Sequence, residues 1–217
     1  MHTIDDGQIE GQPVVTTLQR MTFEDLMSQP DDGYCYELVR GEILRMPPPK
    51  EDHGYIEAAL VGALDRYLND RAIALGWQKS QGRSARDRVA GRLVSGDAGV
   101  RFSLPDDPDQ LRGLDVCYFD TEQVARLGAV QDAEYMAEMP ALVAEVISPS
   151  ETANYVNEKV TDYLGGGARL VWLLYPKTRS AMVFGPDGHS RRIPAGGILV
   201  GDDVLPGFFE DLASLFA

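Results

Sequence analysis

Three residues of this chain have the types and settings to do chemistry together: Glu145, Lys159 and Asp115. Glu145 stands in the middle of Ala141-Leu142-Val143-Ala144-Glu145-Val146-Ile147, a run otherwise apolar, so its carboxylate points into protein. A buried carboxylate needs a partner, either a cationic side chain or a metal ion. Lys159 falls at i+3 of a helical stripe made by Val156, Val160 and Tyr163 and so shares their inward face, while Glu158, Thr161 and Asp162 are assigned to the outward one. A lysine on a buried face implies a partner for its amine. A helix folding back over the strand of Glu145 brings the two together, as a structural salt bridge or as a working pair. Alternation in Leu114-Asp115-Val116-Cys117-Tyr118-Phe119 puts Asp115 on one face with Cys117 and Phe119, where it is either a turn or cap residue or a ligand.

Two strand-borne acids can hold a hard cation such as Mg²⁺ through one or two oxygens, leaving its other positions to water and phosphate. Such an ion polarises a phosphate and acidifies a water, and an inward lysine can orient that water or offset charge in the transition state. Glu37 and His53 are softer candidates for the same site. Glu37 is either a member of it or a solvated cross-strand partner in a hairpin, and His53, after Asp52 at a helix start, is either a member or a neutral cap. Other chemistries find less support. The histidines His2, His53 and His189 do not assemble with a serine and an aspartate, and Gly165-Gly166-Gly167 follows a helix and does not open one, as a phosphate-cradling loop would. A glycosidase pair also uses two carboxylates, but an aromatic content of 8% leaves few rings to stack on sugars, and the third group is a lysine.

The elements that must position these groups can be read from periodicity. Thr22 caps a short helix, with Asp25 at the capping-box position. Tyr36-Glu37-Leu38-Val39 and Glu42-Ile43-Leu44-Arg45-Met46 form a hairpin about Arg40-Gly41, stopped by Pro47-Pro48-Pro49. Ile56, Leu60, Leu64 and Leu68 recur every four residues in a helix over 52–75, closed by Gly76. Strands are expected at 99–104 and 114–119, with the acidic, proline-bearing 105–110 as a loop between them. The apolar strand of Glu145 is followed by a helix over 152–164 and a strand over 169–175. A right-handed crossover makes those two strands parallel. Runs at 180–184 and 190–193 form a terminal hairpin. The expected fold is α/β (α+β), a mixed β-sheet flanked by helices in one domain over 16–217, after a loosely ordered tail over 1–15.

Bulk properties bound the function. At 217 residues the chain suits one sizeable domain, and 44% hydrophobic with 25% charged residues is ordinary for a globular protein. Cys35 and Cys117 make neither a disulfide framework nor a zinc motif. No segment approaches eighteen consecutive apolar residues, and the acidic, polar N-terminus has no signal-like pattern, so the expectation is a cytoplasmic protein with no membrane contact. A net charge of −14 argues against a protein that coats nucleic acid non-specifically, though a compact site can meet phosphate through metal ions. Residues 79–92 run against that average with Lys79, Arg83, Arg86, Arg88 and Arg92, a loop that is either solvated or phosphate-contacting.

The order of Asp, then Glu on a buried strand, then a helix and another apolar strand resembles the PD-(D/E)xK nuclease superfamily. More closely, the chain resembles the Uma-two family of restriction-endonuclease-like proteins. The matching stretches are Tyr36-Glu37-Leu38-Val39-Arg40-Gly41-Glu42, His53, Leu114-Asp115-Val116, Glu145-Val146-Ile147-Ser148-Pro149-Ser150, Lys159 with Tyr163, and Leu170-Val171-Trp172-Leu173 before Pro176. The resemblance implies a four-stranded mixed core sheet between helices and phosphodiester hydrolysis with Mg²⁺ or Mn²⁺. Asp115 and Glu145 would be the metal ligands and Lys159 the catalytic lysine. DNA is the implied substrate and a homodimer the implied assembly, since the two strands of a duplex are two-fold related. The superfamily lysine lies two residues after the Glu, where this chain has Ile147, so Lys159 is its migrated equivalent. Leu114 stands where the motif has proline. Against an endonuclease stands a second reading, prompted by the acidic charge: a nuclease-fold module without catalysis, serving interaction or association with DNA.

Overall fold

The computed structural model describes residues 20–128 and 135–217. The tail expected over 1–15 lies outside the described residues, as does the start of the domain at 16–19. The short helix α1 (Phe23–Met27) is capped as its sequence predicts: Thr22 accepts from the Asp25 N–H while the Asp25 carboxylate takes the Thr22 N–H. Strands β1 (Cys35–Val39) and β2 (Glu42–Met46) pair antiparallel in full register from Cys35↔Met46 to Val39↔Glu42. Their two-residue turn has positive φ at both positions, 51° at Arg40 and 75° at Gly41, the geometry whose twist matches a hairpin.

Helix α2 (Glu51–Ala74) buries Ile56, Leu60, Leu64 and Leu68, the predicted four-residue series. Each such side chain, taken fully out of water, contributes about 1.5–3 kcal/mol. Gly76, at φ 89°, ends the helix in the left-handed region that glycine enters without strain. The basic stretch that follows is not a loop. It forms a 3₁₀ turn at Lys79–Gln81 and helix α3 (Arg83–Ala90), and two of its arginines face inward. Arg86 is bound to Asp65 and Asp87, and Arg92 donates to the carbonyl of Gly128. Internal carboxylates on α2 and α3 thus absorb charge that composition alone reads as available to phosphate.

A long hairpin comes next, β3 (Arg92–Leu104) with β4 (Asp107–Phe119). The expected loop over 105–110 shrinks to a tight turn. Its polar residues are partnered within the fold: Asp107 accepts from the Arg40 N–H and from Arg20, and Asp109 from Arg101. Beyond it come α4 (Thr121–Leu127), β5 (Leu142–Val146), α5 (Ala153–Gly165) and β6 (Leu170–Tyr175). Strands β7 (Ser180–Phe184) and β8 (Ser190–Ile193) form the predicted hairpin, and β9 (Ile198–Val200), β10 (Phe209–Asp211) and α6 (Leu212–Leu215) close the chain. A β9–β10 pair was not foreseen, because three-residue strands carry too little alternation to read.

The sheet has eight strands, the implied mixed core enlarged by the flanking hairpins, in the path β2-β1-β4-β5-β6-β7-β8, with β3 on β4. All its pairs are antiparallel except β5–β6, which is parallel as the crossover rule requires. One face packs against α2 and α6 around Val116, Trp172 and Leu174, and the other against α5 around Cys117, Val143 and Val171. β4 is the spine of the site. One of its edges is occupied throughout by β3. The other is shared, by β1 at Leu111 and by β5 at Val116–Tyr118. The sheet therefore forks between β1 and β5, and the β4 residues between the two ladders lie at the fork.

Candidate active site

Backbone groups at the fork lose their ladder partners, and carboxylates replace them. The N–H of Gly113 donates to Glu37 at 2.9 Å, and the N–H of Val146 donates to Asp115 at 2.7 Å. Continuing the β4–β5 register from Val116↔Ala144 by one residue sets Asp115 opposite Glu145, on one face of the sheet. A cleft of about 960 Å³ opens there, walled by the β1–β2 hairpin, the Pro47-Pro48-Pro49 run, the start of α2 and the β5–α5 connection.

Glu145 is 2% exposed, and both of its oxygens are taken. The Lys159 ammonium binds one, and the Tyr163 hydroxyl donates to the other at 3.0 Å. Lys159 is 7% exposed on the same α5 face as Val156, Val160 and Tyr163, with Glu151 as a second carboxylate at 3.7 Å. Burial pushes the Glu145 carboxyl up to about 8 against the pull of Lys159, with the charge of Asp115 adding to the rise. Burial opposes charge on Lys159 too, but Glu145 together with Tyr163, Glu37 and Glu151 outweighs it and holds the amine well above its ordinary range. The two shifts conflict, since a neutral Glu145 would remove the anion that raises Lys159. With two donors on its oxygens, Glu145 is assigned as carboxylate and Lys159 as ammonium.

Of the softer candidates, His53 belongs to the site. Its Nε2 lies 3.1 Å from Asp115 Oδ2, and although burial works to lower its pKa, Asp115 with Asp97 and Glu57 raises it on balance. Glu37 lines the same cleft but turns into a different cluster. Besides the Gly113 N–H, it accepts from Arg112 at 3.2 Å and from the Tyr155 hydroxyl at 3.0 Å. It is 2% exposed, so it is not a solvated hairpin residue. Arg112 also donates to Asp162 at 2.5 Å, and Asp162 accepts from Arg40 at 2.8 Å. Asp162 is thus fully buried, not outward-facing. The α5 stripe is wider than its apolar residues indicate, because arginines from β4 and from the β1–β2 turn cover the helix beside it.

Two acids at the site escaped the sequence reading. Between Ser95↔Val116 and Ala98↔Leu114, β3 spends two residues, Gly96 and Asp97, against the single residue Asp115 of β4. This bulge turns Asp97 toward the cleft beside Asp115. Burial and the charge of Asp115 raise the Asp97 carboxyl, as they do that of Glu57 on α2. A bulge leaves no mark in the alternation of a strand, and the positive φ of Gly96 and Asp97 was open to suspicion only from their Gly-Asp pairing.

A family model described as "Putative restriction endonuclease", Uma2, matches residues 22–213, nearly all of the chain. The chain belongs to the Uma2 family. A crystal structure described as a "putative nuclease belonging to DUF820", from Anabaena variabilis ATCC 29413, superposes with a TM-score of 0.70 at 16% identity, over 90% of this chain and 97% of that one. At that identity the likeness concerns the fold. A search among curated proteins gives no match.

In this Uma2 protein the predicted lysine does reach the predicted glutamate, from a helix and not from the strand position two residues on. No helix among the described residues is long and apolar enough to cross a membrane. The family description implies a divalent cation, and the donor set fits one. Among the described residues no three His, Cys, Asp or Glu side chains surround a common point as they stand. Mg²⁺, however, is held by one or two carboxylates, with water and phosphate completing its shell. Charge points the same way, since Glu57, Asp97 and Glu145 are all raised in part by the negative charge of Asp115, so the cleft carries surplus anion.

Proposed function

We propose that the protein is a divalent-metal-dependent DNA endonuclease whose machinery is Asp115, Glu145 and Lys159. The observation that carries this reading is the opposition of Asp115 and Glu145 at the sheet fork, with the Lys159 ammonium on Glu145 and the cleft in front of them. Mg²⁺ or Mn²⁺ bound there would polarise the phosphate and acidify a water. Asp115 is held for this by the Val146 N–H and His53, and Tyr163 fixes the plane of Glu145. Lys159, once turned from Glu145, offers a cation to the phosphate oxygens or orients the attacking water. The acidic composition leaves phosphate attraction to the ion and to the few basic groups of the cleft wall, Lys50 and Arg45, the latter shared with Asp32. Cutting both strands of a duplex is the task of a two-fold dimer, and we extend the proposal to that assembly.

The test is cleavage of supercoiled, linear and single-stranded DNA with Mg²⁺ or Mn²⁺ and with chelator, compared between wild type and Lys159→Ala. Metal-dependent nicking that the variant loses is the expected result. Intact DNA of all three forms with both metals would refute it. One observation favours a second reading, a nuclease-fold module without catalysis. Glu145, Lys159 and Tyr163 already satisfy one another and need no metal to do so. Under that reading the protein binds DNA or a partner equally well with chelator present.

A further inference from the structure

We infer that Asp97 is a metal ligand, and that Asp97 and Asp115, rather than Asp115 and Glu145, make the first protein contacts with the cation. The inference rests on the metal-dependent reading above and sharpens it. Asp115 has to share an ion with some second carboxylate, and the two neighbours able to supply one are in different states. Glu145 is closed, with the Lys159 ammonium on one oxygen and the Tyr163 hydroxyl on the other. An ion approaching Glu145 must first displace a buried ammonium from it. Asp97 has no such competitor. Among the described residues no lysine or arginine forms a salt bridge with it, and its side chain, exposed at the cleft, meets only the Asp115 carboxyl and, weakly at 3.9 Å, the Cys35 thiol.

The backbone places Asp97 there at a cost. Two residues of β3 stand against Asp115, and the second of them, Asp97, has φ 51°. An L residue is disfavoured in that region, and bulges of this kind re-aim side chains next to active sites. The groups facing Asp97 are Asp115 from β4, His53 and Glu57 from α2, Cys35 from β1 and, at longer range, Lys159 from α5. Carboxylates outnumber cations in that set. Like charges pressed together on strained backbone destabilise the metal-free fold, and an ion between Asp97 and Asp115 removes the repulsion. Glu145 then joins as a later ligand when Lys159 turns to substrate.

The test is Mn²⁺ alone, titrated into the full chain with free Mn²⁺ followed by its electron paramagnetic resonance signal and thermal unfolding recorded with and without the metal. Wild type is compared with Asp97→Asn, Asp97→Gly and Glu145→Gln. Asn and Gly both tolerate a left-handed backbone, so both Asp97 variants fold. Asp97→Asn should weaken Mn²⁺ binding by about tenfold or more, as loss of a ligand does. Without metal, both Asp97 variants should melt about 2 °C or more above wild type, because they relieve repulsion and strain. Both should also lose the rise in melting temperature that Mn²⁺ gives wild type. Glu145→Gln should keep Mn²⁺ affinity within about threefold, well under 1 kcal/mol. A purely structural Asp97 predicts the opposite, variants that melt lower and bind Mn²⁺ normally. The inference is overturned by that result, or by Glu145→Gln losing Mn²⁺ as fully as Asp97→Asn. If wild type takes up no Mn²⁺, it falls together with the metal-dependent reading. If wild type binds Mn²⁺ and cuts DNA while Asp97→Asn binds it equally well, it falls alone.

Discussion

Helix α5 carries two buried charges three residues apart, Lys159 and Asp162, and they serve clusters of opposite character. Around Asp162 the charges close on themselves, apart from the half-buried Glu158, which also pairs with Arg40. Arg112 lies between Glu37 and Asp162, Arg40 adds a second cation from the turn, and Tyr155 and the Gly113 N–H satisfy what remains of Glu37. Around Lys159 the count is unequal: Glu145, Glu151, Asp115, Asp97 and Glu57 stand against Lys159 and His53. Glu37, Arg112 and Asp162 in the first cluster and Glu145, Asp115 and Lys159 in the second are buried, so the same electrostatics acts on the heart of each. The difference teaches that burial of charge alone does not mark function. A structural cluster tends to neutrality, because an uncompensated charge in low dielectric is costly. A cluster left short of cations in a solvent-reaching cleft is where an added cation would be most favourable.

The contrast can be broken in graded steps. The largest effect on folding is expected for Arg112→Met, which strands Glu37 and Asp162 without their shared cation. It should lower unfolding free energy by about 3–5 kcal/mol in a urea titration. Glu145→Gln should leave the fold in place, since its amide oxygen can accept from Lys159 while its NH2 donates to the Tyr163 hydroxyl. It should lower metal-dependent cleavage by about a hundredfold or more, which a plasmid-nicking time course resolves. Lys159→Met should destabilise less than Arg112→Met, because Glu145, already raised to about 8, can take up a proton. Its loss has a definite pH signature. The folded variant binds a proton that the unfolded chain has released, so its stability is highest below the ordinary carboxylate range and falls as pH rises through the folded value. Urea midpoints of Lys159→Met relative to wild type should therefore be worse at pH 9 than at pH 6. The smallest effect is expected for Arg40→Ala, whose side chain is 37% exposed, with a cost of about 1 kcal/mol or less in the same titration.

The two clusters were not equally legible. The Glu145–Lys159 pair could be read because each residue broke a strong local pattern, an acid in an apolar strand and a lysine in an apolar helical stripe. Asp162 broke no pattern. It lies beside the stripe, and its arginines come from β4 and the β1–β2 turn, far off in sequence. The hairpin of β1 and β2, the long helix α2 and the β5–α5–β6 crossover were legible for the same reason, being local periodicities bounded by glycine and proline. The extended β3–β4 hairpin was underestimated because Asp107, Pro108 and Asp109 have loop composition, and only the folded chain supplies Arg20, Arg101 and the Arg40 N–H that accommodate the two acids. Asp97 was hidden most completely. A bulge is a relation between two strands, and one strand read alone does not contain it.

The shared edge of β4 has a consequence for how the molecule is made. Asp97 and Asp115 come from a single local hairpin, which can zip as soon as both strands have left the ribosome. Glu145 and Lys159 belong to a later strand–helix unit, whose parallel partner β6 must also be synthesised before β5 is enclosed on both edges. Parallel pairings across a crossover are slower to form than a local hairpin. A chain synthesised only as far as β4 therefore holds Asp97 and Asp115 without Glu145 and Lys159. The fork thus joins in one candidate site a hairpin complete by Phe119 and a unit complete only at Tyr175.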